Sequence, residues 1–412
     1  MSRNAERVVI TGAGHLTALG CDWNSFAGAL RNDTSAVREM PAWKSVEGLQ
    51  CHLGAPLHFE MPKHYSRKDL RSMGRVARLG VYATELALID AGLLDDEVVQ
   101  SGRMGVAYGS ATGSPDALLE FVSTLNQDDA RALKATSYLR GMSHTAAVNI
   151  GVYFGLTGRV LTTSSACTAS SQAIGFAFET IKQGYQDVML AGGADELTVA
   201  HSAVFDALHA TSTRFGEPTQ TPRPFDRDRE GLVLGEGGST LVLESLSHAQ
   251  SRGAQVLAEV VGFATNADGT HITQPNTDTQ ARCIQMALQD AGLRAEQIDY
   301  VSAHGTATDG GDISEVRATR SILPDVPMSS LKGHLGHTLG ACGGIEAWAT
   351  IMMMREGWFA PTLNLQHVDP ECEGVQHIRA APRSIDAHYV MSNNFAFGGI
   401  NTSLIFAPPP VG

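Results

Sequence analysis

The stretch LTTSSACTASS, residues 161–171, joins two kinds of secondary-structure pattern. Residues 160–163 form a short β-branched run typical of a buried strand, and residues 170–183 have the spacing of a helix. Cys167 falls between them, so we expect its thiol at a helix N-terminus, where the dipole and free N–H groups favour a thiolate. Its small neighbours leave room for a substrate, which makes Cys167 a candidate nucleophile. The alternative is a buried cysteine that only packs.

The same alternation of strand and helix patterns continues along the chain. Short apolar runs predict strands at residues 8–11, 104–108, 160–163, 188–191, 239–243, 298–303, 327–330, 389–392 and 403–406. Helical spacing predicts helices at residues 76–91, 170–183, 279–291 and 344–355, each ending near a glycine. This alternation predicts an α/β fold.

Chemically interesting residues recur at the ends of three predicted strands, one in the first half of the chain and two in the second. We interpret this repeated pattern as evidence for two related α/β halves, residues 1–255 with the cysteine and residues 256–412 with two histidines. The strand-poor stretches at about residues 20–103 and 119–143 are interpreted as insertions that cap the core. No low-complexity tract or proline-rich linker divides the chain.

The composition excludes several classes of protein. The 412 residues are 43% hydrophobic and contain no run of about eighteen apolar residues, so a membrane-spanning protein is excluded. The net charge of −13 excludes a general attraction to nucleic acid or anionic lipid. Six cysteines without regular spacing favour a reducing compartment, and the first residues lack the features of a secretory signal. We therefore expect a cytoplasmic protein.

Two histidines follow predicted strands in the second half. His304, in VSAHGTATDGGD, lies where the active-site cleft of an α/β sheet is expected, although a histidine that caps a turn is the alternative. The segment SSLKGHLGHTLGACGGIE adds Lys332, His334 and His337 in a passage too rich in small residues for ordinary core. No Asp, Glu or Cys stands at the usual metal-ligand spacing beside these histidines, so no metal is expected.

A glycine-rich turn lies near the C-terminus, in MSNNFAFGGIN, residues 391–401. Such a turn brings backbone N–H groups close to a ligand, and a phenylalanine within it can act as a gate. Plain packing of a hairpin is the alternative. Neither phosphate-loop pattern, GxxxxGK[ST] or GxGxxG, occurs in the chain.

Together the cysteine, the later histidines and the glycine-rich turn form a Cys-His-His set suited to acyl transfer through a thioester. Five ordered motifs then carry a resemblance: TTSSACTASS, RPFDRDREGLVLGEGG, HGTATDGGD, K…GHTLGA and NFAFGGIN. Over residues 8–406 the chain resembles the elongating β-ketoacyl-[acyl-carrier-protein] synthases of type II fatty acid and polyketide synthesis. This resemblance implies the thiolase fold, an αβαβα five-layer sandwich of two similar βαβαβαββ halves, usually as a dimer.

The resemblance implies a role for the central residues of the motifs. Cys167 is the acyl-accepting nucleophile, and His304 and His337 are the catalytic pair. His334, three residues before the second of them, lies outside the family pattern. The backbone N–H groups of Cys167 and Phe397 form an oxyanion hole, and Phe397 is also the gate.

A second group of residues surrounds this centre in the family pattern. Lys332 and Glu346 are implied to orient the second histidine, His337, while Asp312 and Glu315 tie loops beneath the site. The residues implied in substrate binding are Thr112, Thr306, Thr308, Phe395, Gly398 and Gly399.

The implied reaction is a decarboxylative Claisen condensation. Cys167 accepts an acyl group, a malonyl thioester loses its carboxylate, and two histidine N–H donors stabilise the enolate. The enolate carbon then attacks the acyl carbonyl to give a 3-oxoacyl thioester. No redox cofactor or metal is required, and the phosphopantetheine arm arrives on the carrier protein.

Several positions depart from the family pattern. Ala396 replaces a glycine between the two phenylalanines, Ile400 replaces a threonine, and Asp309 replaces a proline, so we expect the gate to move differently. Thr112 stands where a bulkier aliphatic residue often lines the acyl pocket. Thr112, Ala396 and Ile400 motivate the hypothesis of a longer or conjugated acyl chain, as in polyene-type polyketide synthases, beside ordinary fatty acid elongation.

The expected partners are an acyl carrier protein and a second synthase chain. Carrier proteins are acidic, as is this chain, so docking requires a basic patch. Arg67, Lys68, Arg71, Arg75 and Arg78 are predicted to place cations along one helix, with a simple solvated face as the alternative. The dimer is either a homodimer or a heterodimer with a homologue that lacks the cysteine.

Three other functions compete with this interpretation. A thiolase pattern has a second cysteine near the C-terminus, where this chain has FAFGGIN. A silent chain-length partner is expected to lack the nucleophile, which is present here as Cys167. A papain-like hydrolase pairs a cysteine with a later His and Asn, and gives no reason for Lys332 or a second histidine.

Overall fold

The computed structural model describes residues 6–127 and 130–410, in which strands and helices alternate. The strands are β1 Val8–Thr17, β2 Arg38–Glu39, β3 Leu53–Gly54, β4 Met104–Gly109, β5 Val160–Thr163, β6 Val188–Asp195, β7 Gly237–Ser245, β8 Ala258–Ala267, β9 Tyr300–Ser302, β10 Pro327–Ser329, β11 Trp358–Phe359, β12 Gln376–His377, β13 Arg383–Ser384, β14 Val390–Ala396 and β15 Ile400–Ala407. The α-helices are α1 Trp23–Arg31, α2 Arg75–Asp90, α3 Pro115–Gln127, α4 Ser137–Gly141, α5 Thr145–Phe154, α6 Ala169–Lys182, α7 Val199–Ala207, α8 Leu246–Ser251, α9 Thr277–Ala291, α10 Asp309–Ile322, α11 Lys332–Leu335 and α12 Cys342–Glu356.

The strand order repeats between the two halves. The 11-stranded sheet has the order β12-β10-β9-β14-β15-β8-β1-β7-β6-β4-β5. From β1 outward the pairings with β7, β6, β4 and β5 are antiparallel, antiparallel, parallel and parallel. The pairings from β8 through β15, β14, β9 and β10 follow the same sequence of directions. The two sets join where residues 8–10 of β1 pair with residues 258–260 of β8.

Helices α6 and α12 lie between the two sets of strands. They contact each other, and α6 packs on β4 and β6 while α12 packs on β7 and β14. Helices α2 and α5 cover the outer side of the first set, and α9 covers that of the second. This is the predicted αβαβα sandwich of the thiolase fold. The division at residues 255 and 256 stays a prediction.

The predicted strands are confirmed, and the four predicted helices agree with α2, α6, α9 and α12 to within about two residues at each end. Gly292 and Gly357 form left-handed caps of α9 and α12, as predicted. The sequence reading missed β8 and α10. The interpretation of residues 20–103 as a capping insertion was wrong for α1 and α2, because α1 buries Phe26 and Leu30 in the core and α2 packs on β1 and β7.

None of the helices within the described residues is long and apolar enough to cross a membrane.

Candidate active site

Segments that are distant in the sequence meet at the carboxyl ends of the parallel strands. Cys167 follows β5 and precedes α6, His304 follows β9, and His337 precedes α12. The turn between β14 and β15 brings the Phe397 backbone N–H to the Cys167 sulfur. In α/β sheets this edge is where ligands bind. Four of the five predicted motifs therefore surround one site.

Cys167 and His337 are in direct contact. His337 Nε2 lies 2.9 Å from Cys167 Sγ, and both side chains are buried. The Leu339 backbone N–H lies 3.2 Å from His337 Nδ1, so Nδ1 accepts and Nε2 carries the proton of the neutral ring. The His337 N–H donates to the Val233 carbonyl at 2.7 Å, and the His337 carbonyl accepts from the Gly235 N–H at 2.8 Å. The glycine-rich LVLGEGG motif thus holds the His337 backbone in place.

His304 presents a second imidazole to the same space. Its Nδ1 lies 3.3 Å from Lys332 Nζ and 3.3 Å from Asn394 Nδ2, both of them N–H donors, so the ring proton lies on Nε2. The His304 and His337 rings have centroids 5.2 Å apart and an interplanar angle of 86°. Burial, and then the charge of Lys332, lowers the pKa of both histidines well below the ordinary value. Two neutral N–H donors are thereby available to an oxygen that gains negative charge.

Lys332 acts on a different histidine from the one predicted. It forms a buried ion pair with Glu346, and its Nζ hydrogen bond is to His304 rather than to His337. Burial opposes the charge of Lys332, but Glu346 outweighs it and the pKa of Lys332 is raised. The reason is topological: Lys332 begins α11, which directly follows β10, the strand beside β9 and His304.

Asn394 is a member of the site that sequence reasoning missed. Its Nδ2 donates to Glu346 at 2.7 Å and also faces His304, so it ties the ion pair to the ring. It lies in β14 and is fully buried. The one signal available was an asparagine pair in a buried strand, where β-propensity disfavours asparagine.

The resting thiol differs from the expected thiolate. Burial raises the pKa of Cys167 to about 12, although Lys332 and the backbone N–H groups of Phe397 and Cys167 oppose this. The thiol stands in a turn of 3₁₀-helix, Ala166–Thr168, just before α6. The backbone N–H groups of Phe397 and Cys167 face the sulfur, but in this closed site they do not offset the loss of solvation.

Two buried carboxyl groups lie under the His304 loop. Glu315 accepts the backbone N–H groups of His304 and Gly305, both at 2.7 Å. Asp312 accepts those of Thr306 at 3.0 Å and Ala307 at 3.1 Å. Burial raises the pKa of Glu315 to about 8 and that of Asp312 to about 6. The structure thus places both residues where the prediction put them, beneath the site.

A cavity of about 480 Å³ opens onto the thiol. The predicted site residues in its wall are Cys167, His304, His337, Thr306, Thr308, Glu315, Phe395, Phe397 and Gly399. The hydroxyls of Thr306 and Thr308 are 2.9 Å apart. The ring of Phe397, the predicted gate, stacks on Phe205 of α7 at a centroid distance of 5.6 Å, and this aromatic partner was not predicted from the sequence.

Two predicted substrate-binding residues lie outside the cavity wall. Thr112 Oγ1 is 2.9 Å from His201 Nε2 of α7, so the hydroxyl is tied to that helix. Gly398 is exposed at the tip of the β14–β15 turn, and its N–H donates to the Ile272 carbonyl at 2.7 Å. Substrate binding at Thr112 and Gly398 stays a prediction.

The basic segment does not form one helix. Asp69–Ser72 is a short 3₁₀-helix, and α2 begins only at Arg75 after Gly74. Arg75 is half-buried and paired with Glu236, whereas the exposed predicted cations are Arg67, Lys68, Arg71 and Arg78. The prediction of five cations on one helix is therefore wrong, because a break precedes Arg75 and an internal carboxylate holds it.

The possible ligand atoms of the site lie close enough together to hold a metal ion. One ligand atom from each of Cys167, His304 and His337 lies within 4.8 Å of the others, and the same holds for His304, Cys342 and Glu346. Both rings accept hydrogen bonds at Nδ1, which leaves the proton of each neutral ring on Nε2. His334 is separate: its nitrogens lie 2.9 Å from the Thr34 carbonyl and 3.3 Å from the Pro361 carbonyl.

Comparison with known proteins agrees with this geometry. Residues 5–249 match the model for the beta-ketoacyl synthase N-terminal domain, and residues 257–366 match that for its C-terminal domain. The chain belongs to the beta-ketoacyl synthase family. This synthase is 36% identical to the 3-oxoacyl-[acyl-carrier-protein] synthase 2 of Vibrio cholerae serotype O1, over 97% of the chain and 99% of that relative.

Solved structures show the same relationship. The synthase matches a beta-ketoacyl synthase from Burkholderia phymatum STM815 with a TM-score of 0.97 and 54% identity, covering 98% of this chain and 100% of that chain. It matches the ishigamide ketosynthase/chain length factor with a TM-score of 0.90 and 30% identity, again covering 98% and 100%.

Proposed function

We propose that this synthase joins an acyl group, carried on Cys167, to the malonyl group of an acyl carrier protein and yields a 3-oxoacyl-carrier protein. The observation that carries the proposal is the buried thiol in contact with one of two neutral imidazoles, both of which carry their proton on Nε2. This set supplies a nucleophile and two donors for a developing oxyanion. The name of the Vibrio cholerae relative supports the same reaction.

The first half-reaction is a thioester exchange. The Cys167 sulfur attacks the acyl thioester, the new C–S bond forms, and the carrier leaves as a thiol that takes the proton of Cys167. The backbone N–H groups of Cys167 and Phe397 hold the oxygen of the tetrahedral intermediate. The acyl chain is then fixed to the enzyme, which separates one difficult step into two.

The second half-reaction forms the carbon–carbon bond. The malonyl thioester loses carbon dioxide, and the electron pair of the broken bond passes to an enolate. The Nε2 protons of His304 and His337 hydrogen-bond the enolate oxygen. The enolate carbon attacks the acyl carbonyl, and the sulfur of Cys167 leaves and is protonated again. Since decarboxylation supplies the carbanion, we propose that no metal or redox cofactor takes part and that the phosphopantetheine arm arrives with the carrier.

We further propose that the carrier protein docks on the exposed cations Arg67, Lys68, Arg71 and Arg78. Their charge is opposite to that of an acidic carrier, whereas the chain as a whole carries −13. Arg75 is left out of this surface because Glu236 holds it. A cytoplasmic location, where unpaired cysteines stay reduced, is part of the same proposal.

We propose that the synthase dimerises through β5. This strand is at the edge of the sheet, and Val160 within it is 50% exposed. An uncovered edge offers backbone groups to a second strand. Helices α3 and α4 add exposed apolar side chains, among them Leu119, Leu125 and Tyr138. The partner is either a second copy or a homologue without the cysteine, and the ishigamide ketosynthase/chain length factor supports the second arrangement.

For the acyl chain we propose a longer or conjugated substrate. Ala396 and Ile400 pack around Cys167, so the two departures from the family pattern lie beside the acylated sulfur. Thr112, the third departure, bonds to His201 of α7 outside the cavity wall, and its part in the acyl pocket stays a prediction. Polyenoyl and saturated acyl-carrier primers should be compared by kcat/KM. If saturated primers of the same length turn over as well or better, the chain is an ordinary fatty acid synthase of this type.

The reaction itself is tested by mass spectrometry. Incubation with an acyl-carrier protein should add the acyl mass to the peptide that contains Cys167, and malonyl-carrier protein should then remove it as a 3-oxoacyl product. The matched control is Cys342→Ala, which removes the neighbouring thiol and should keep both steps. If the acyl mass appears on Cys342 or if the Cys167→Ala variant still acylates, the proposed mechanism is wrong.

A further inference from the structure

Asp195 is a buried carboxyl group that none of the steps above uses. It is the last residue of β6 and is fully inaccessible to solvent. Its oxygens accept the Gly340 N–H at 2.6 Å and the Ala111 N–H at 2.9 Å, and the Ser110 hydroxyl lies 3.1 Å away. These partners are uncharged donors from two different loops. The carboxyl group therefore ties the end of β4 to the turn that follows His337.

That turn is strained at the residue that controls His337. Leu339 has φ of 49°, in the left-handed region that a leucine rarely adopts. Its N–H is the donor that faces His337 Nδ1 over 3.2 Å. Gly340, the next residue, is the one held by Asp195. A non-glycine residue in this conformation persists only where the surroundings hold it, and Asp195 supplies one such restraint.

Gly193 and Gly340 allow the turn to approach β6 closely. A Cβ atom on Gly340 would lie 2.5 Å from Asp195 Oδ2, and one on Gly193 would lie 2.5 Å from the Gly340 carbonyl oxygen. Contacts this short are not tolerated by carbon atoms, so both positions require glycine. The glycines bring the turn within hydrogen-bond reach of the carboxyl group.

We propose that Asp195 is a positioning residue for His337: by holding Gly340, it keeps the Leu339 N–H on His337 Nδ1 and so keeps the proton on Nε2. The inference rests on the proposed function, because it assigns the Nε2 proton a part in malonyl decarboxylation. Without the hydrogen bond from the Gly340 N–H to Asp195, the His337 ring can carry its proton on Nδ1. The Nε2 lone pair would then face the enolate oxygen and repel it.

The test is Asp195→Ala, because the Gly340 and Ala111 N–H groups both bond the same oxygen, Oδ2, which an asparagine amide oxygen could replace and an alanine cannot. We expect the rate of malonyl-carrier decarboxylation to fall by about ten-fold or more, because a well-placed donor contributes that much or more to such a step. Acylation of Cys167 should fall less, and KM for the malonyl carrier should stay within about two-fold. Nitrogen-15 spectra of histidine-labelled protein should show His337 losing its Nε2-protonated form.

Ser110→Ala is the matched control. It removes another partner of the same carboxyl group without touching the turn, so decarboxylation should stay within about two-fold of wild type. If Asp195→Ala is insoluble, Gly340→Ala makes the same test, since its Cβ would lie 2.5 Å from Asp195 Oδ2 and separates the turn from the carboxyl group.

Two results overturn the inference: wild-type decarboxylation in the variant, or equal loss of both half-reactions with the His337 protonation unchanged. A wild-type enzyme that does not decarboxylate malonyl-carrier protein would instead contradict the proposed function.

Discussion

At the scale of single side chains, the site keeps positive charge off the two histidine rings that must donate hydrogen bonds. Lys332 is paired with Glu346, and burial, followed by the charge of Lys332, lowers the pKa of His304 and His337. The positive charge thus lies behind the donors and not on them. The sequence allowed the thiol and both histidines to be predicted, since each follows a strand pattern. Asn394 was not predicted, because its partners lie 48 and 90 residues away in the chain.

Replacing either catalytic histidine should remove one donor to the enolate. We expect His304→Ala and His337→Ala each to slow malonyl decarboxylation by about 10²- to 10³-fold with little change in KM. Release of carbon dioxide from malonyl-carrier protein measures this. His334→Ala is the control, because that histidine is equally buried but bonds to backbone carbonyl groups elsewhere. A loss in His334→Ala as large as in the other two would contradict the assignment.

Breaking the buried ion pair should destabilise the protein. Lys332→Met leaves Glu346 buried without its cation, so the free energy of unfolding should fall by about 3–5 kcal/mol. Urea denaturation of the wild type and the variant measures the change. The double variant Lys332→Met with Glu346→Gln removes the stranded charge and should recover part of the loss. No recovery would show that the cost comes from packing rather than from charge.

Among helices and strands, local pattern predicted most of the architecture and failed where packing overrides it. Strand β8 was missed because Gly262 interrupts its apolar run, yet a Cβ there would lie 2.7 Å from the Ala287 carbonyl oxygen of α9. Gly262, which made the strand hard to predict, is required because α9 packs directly against it. Helix α10 was missed because it begins with Asp309-Gly310-Gly311, residues of low helix propensity.

The N-terminal part of α10 should make stability depend on pH through Glu315. Burial raises the pKa of Glu315 to about 8, whereas an unfolded glutamate titrates near 4.3. Between these values the folded state binds the extra proton, so the free energy of unfolding falls as pH rises from about 5 to about 8.

The measurement compares wild type with Glu315→Gln by chemical denaturation across that range. The difference between the two proteins should change by up to about 1.4 kcal/mol per pH unit, in the direction of a relatively weaker wild type at higher pH. Parallel pH curves for the two proteins would contradict the prediction. Groups that do not interact with Glu315 are common to both proteins and cancel in the difference, whereas Asp312 adds to burial in raising the pKa of Glu315 and belongs to the measured effect.

The segment before α2 should decide carrier affinity. Reversing the charge of Arg67, Lys68 and Arg71 to Glu should raise KM for malonyl-carrier protein about ten-fold, and added salt should reduce the difference. Turnover of a small pantetheine thioester should not change, because that substrate needs no docking surface. Arg294→Glu, an exposed cation outside the segment, is the control. An unchanged KM in the triple variant would remove the segment from the docking surface.

For the molecule as a whole, β5 is an edge of the large sheet that the described part of the single chain leaves uncovered. Val160→Arg should place a charge in the proposed strand pairing and convert the dimer to a monomer, which sedimentation velocity can measure. Ile89→Arg is the matched control, because Ile89 is 56% exposed on α2, away from that edge. This variant protein should stay dimeric. Persistence of the dimer in Val160→Arg would place the interface elsewhere.

The repeated strand order has a consequence for how the two halves build the site. Cys167 and His337 occupy matching places, each between the outer parallel strand of its set and the central helix that follows. These two places bear a sulfur and an imidazole, 2.9 Å apart. Each half of the chain therefore contributes one member of this contact from the same position in its own set of strands.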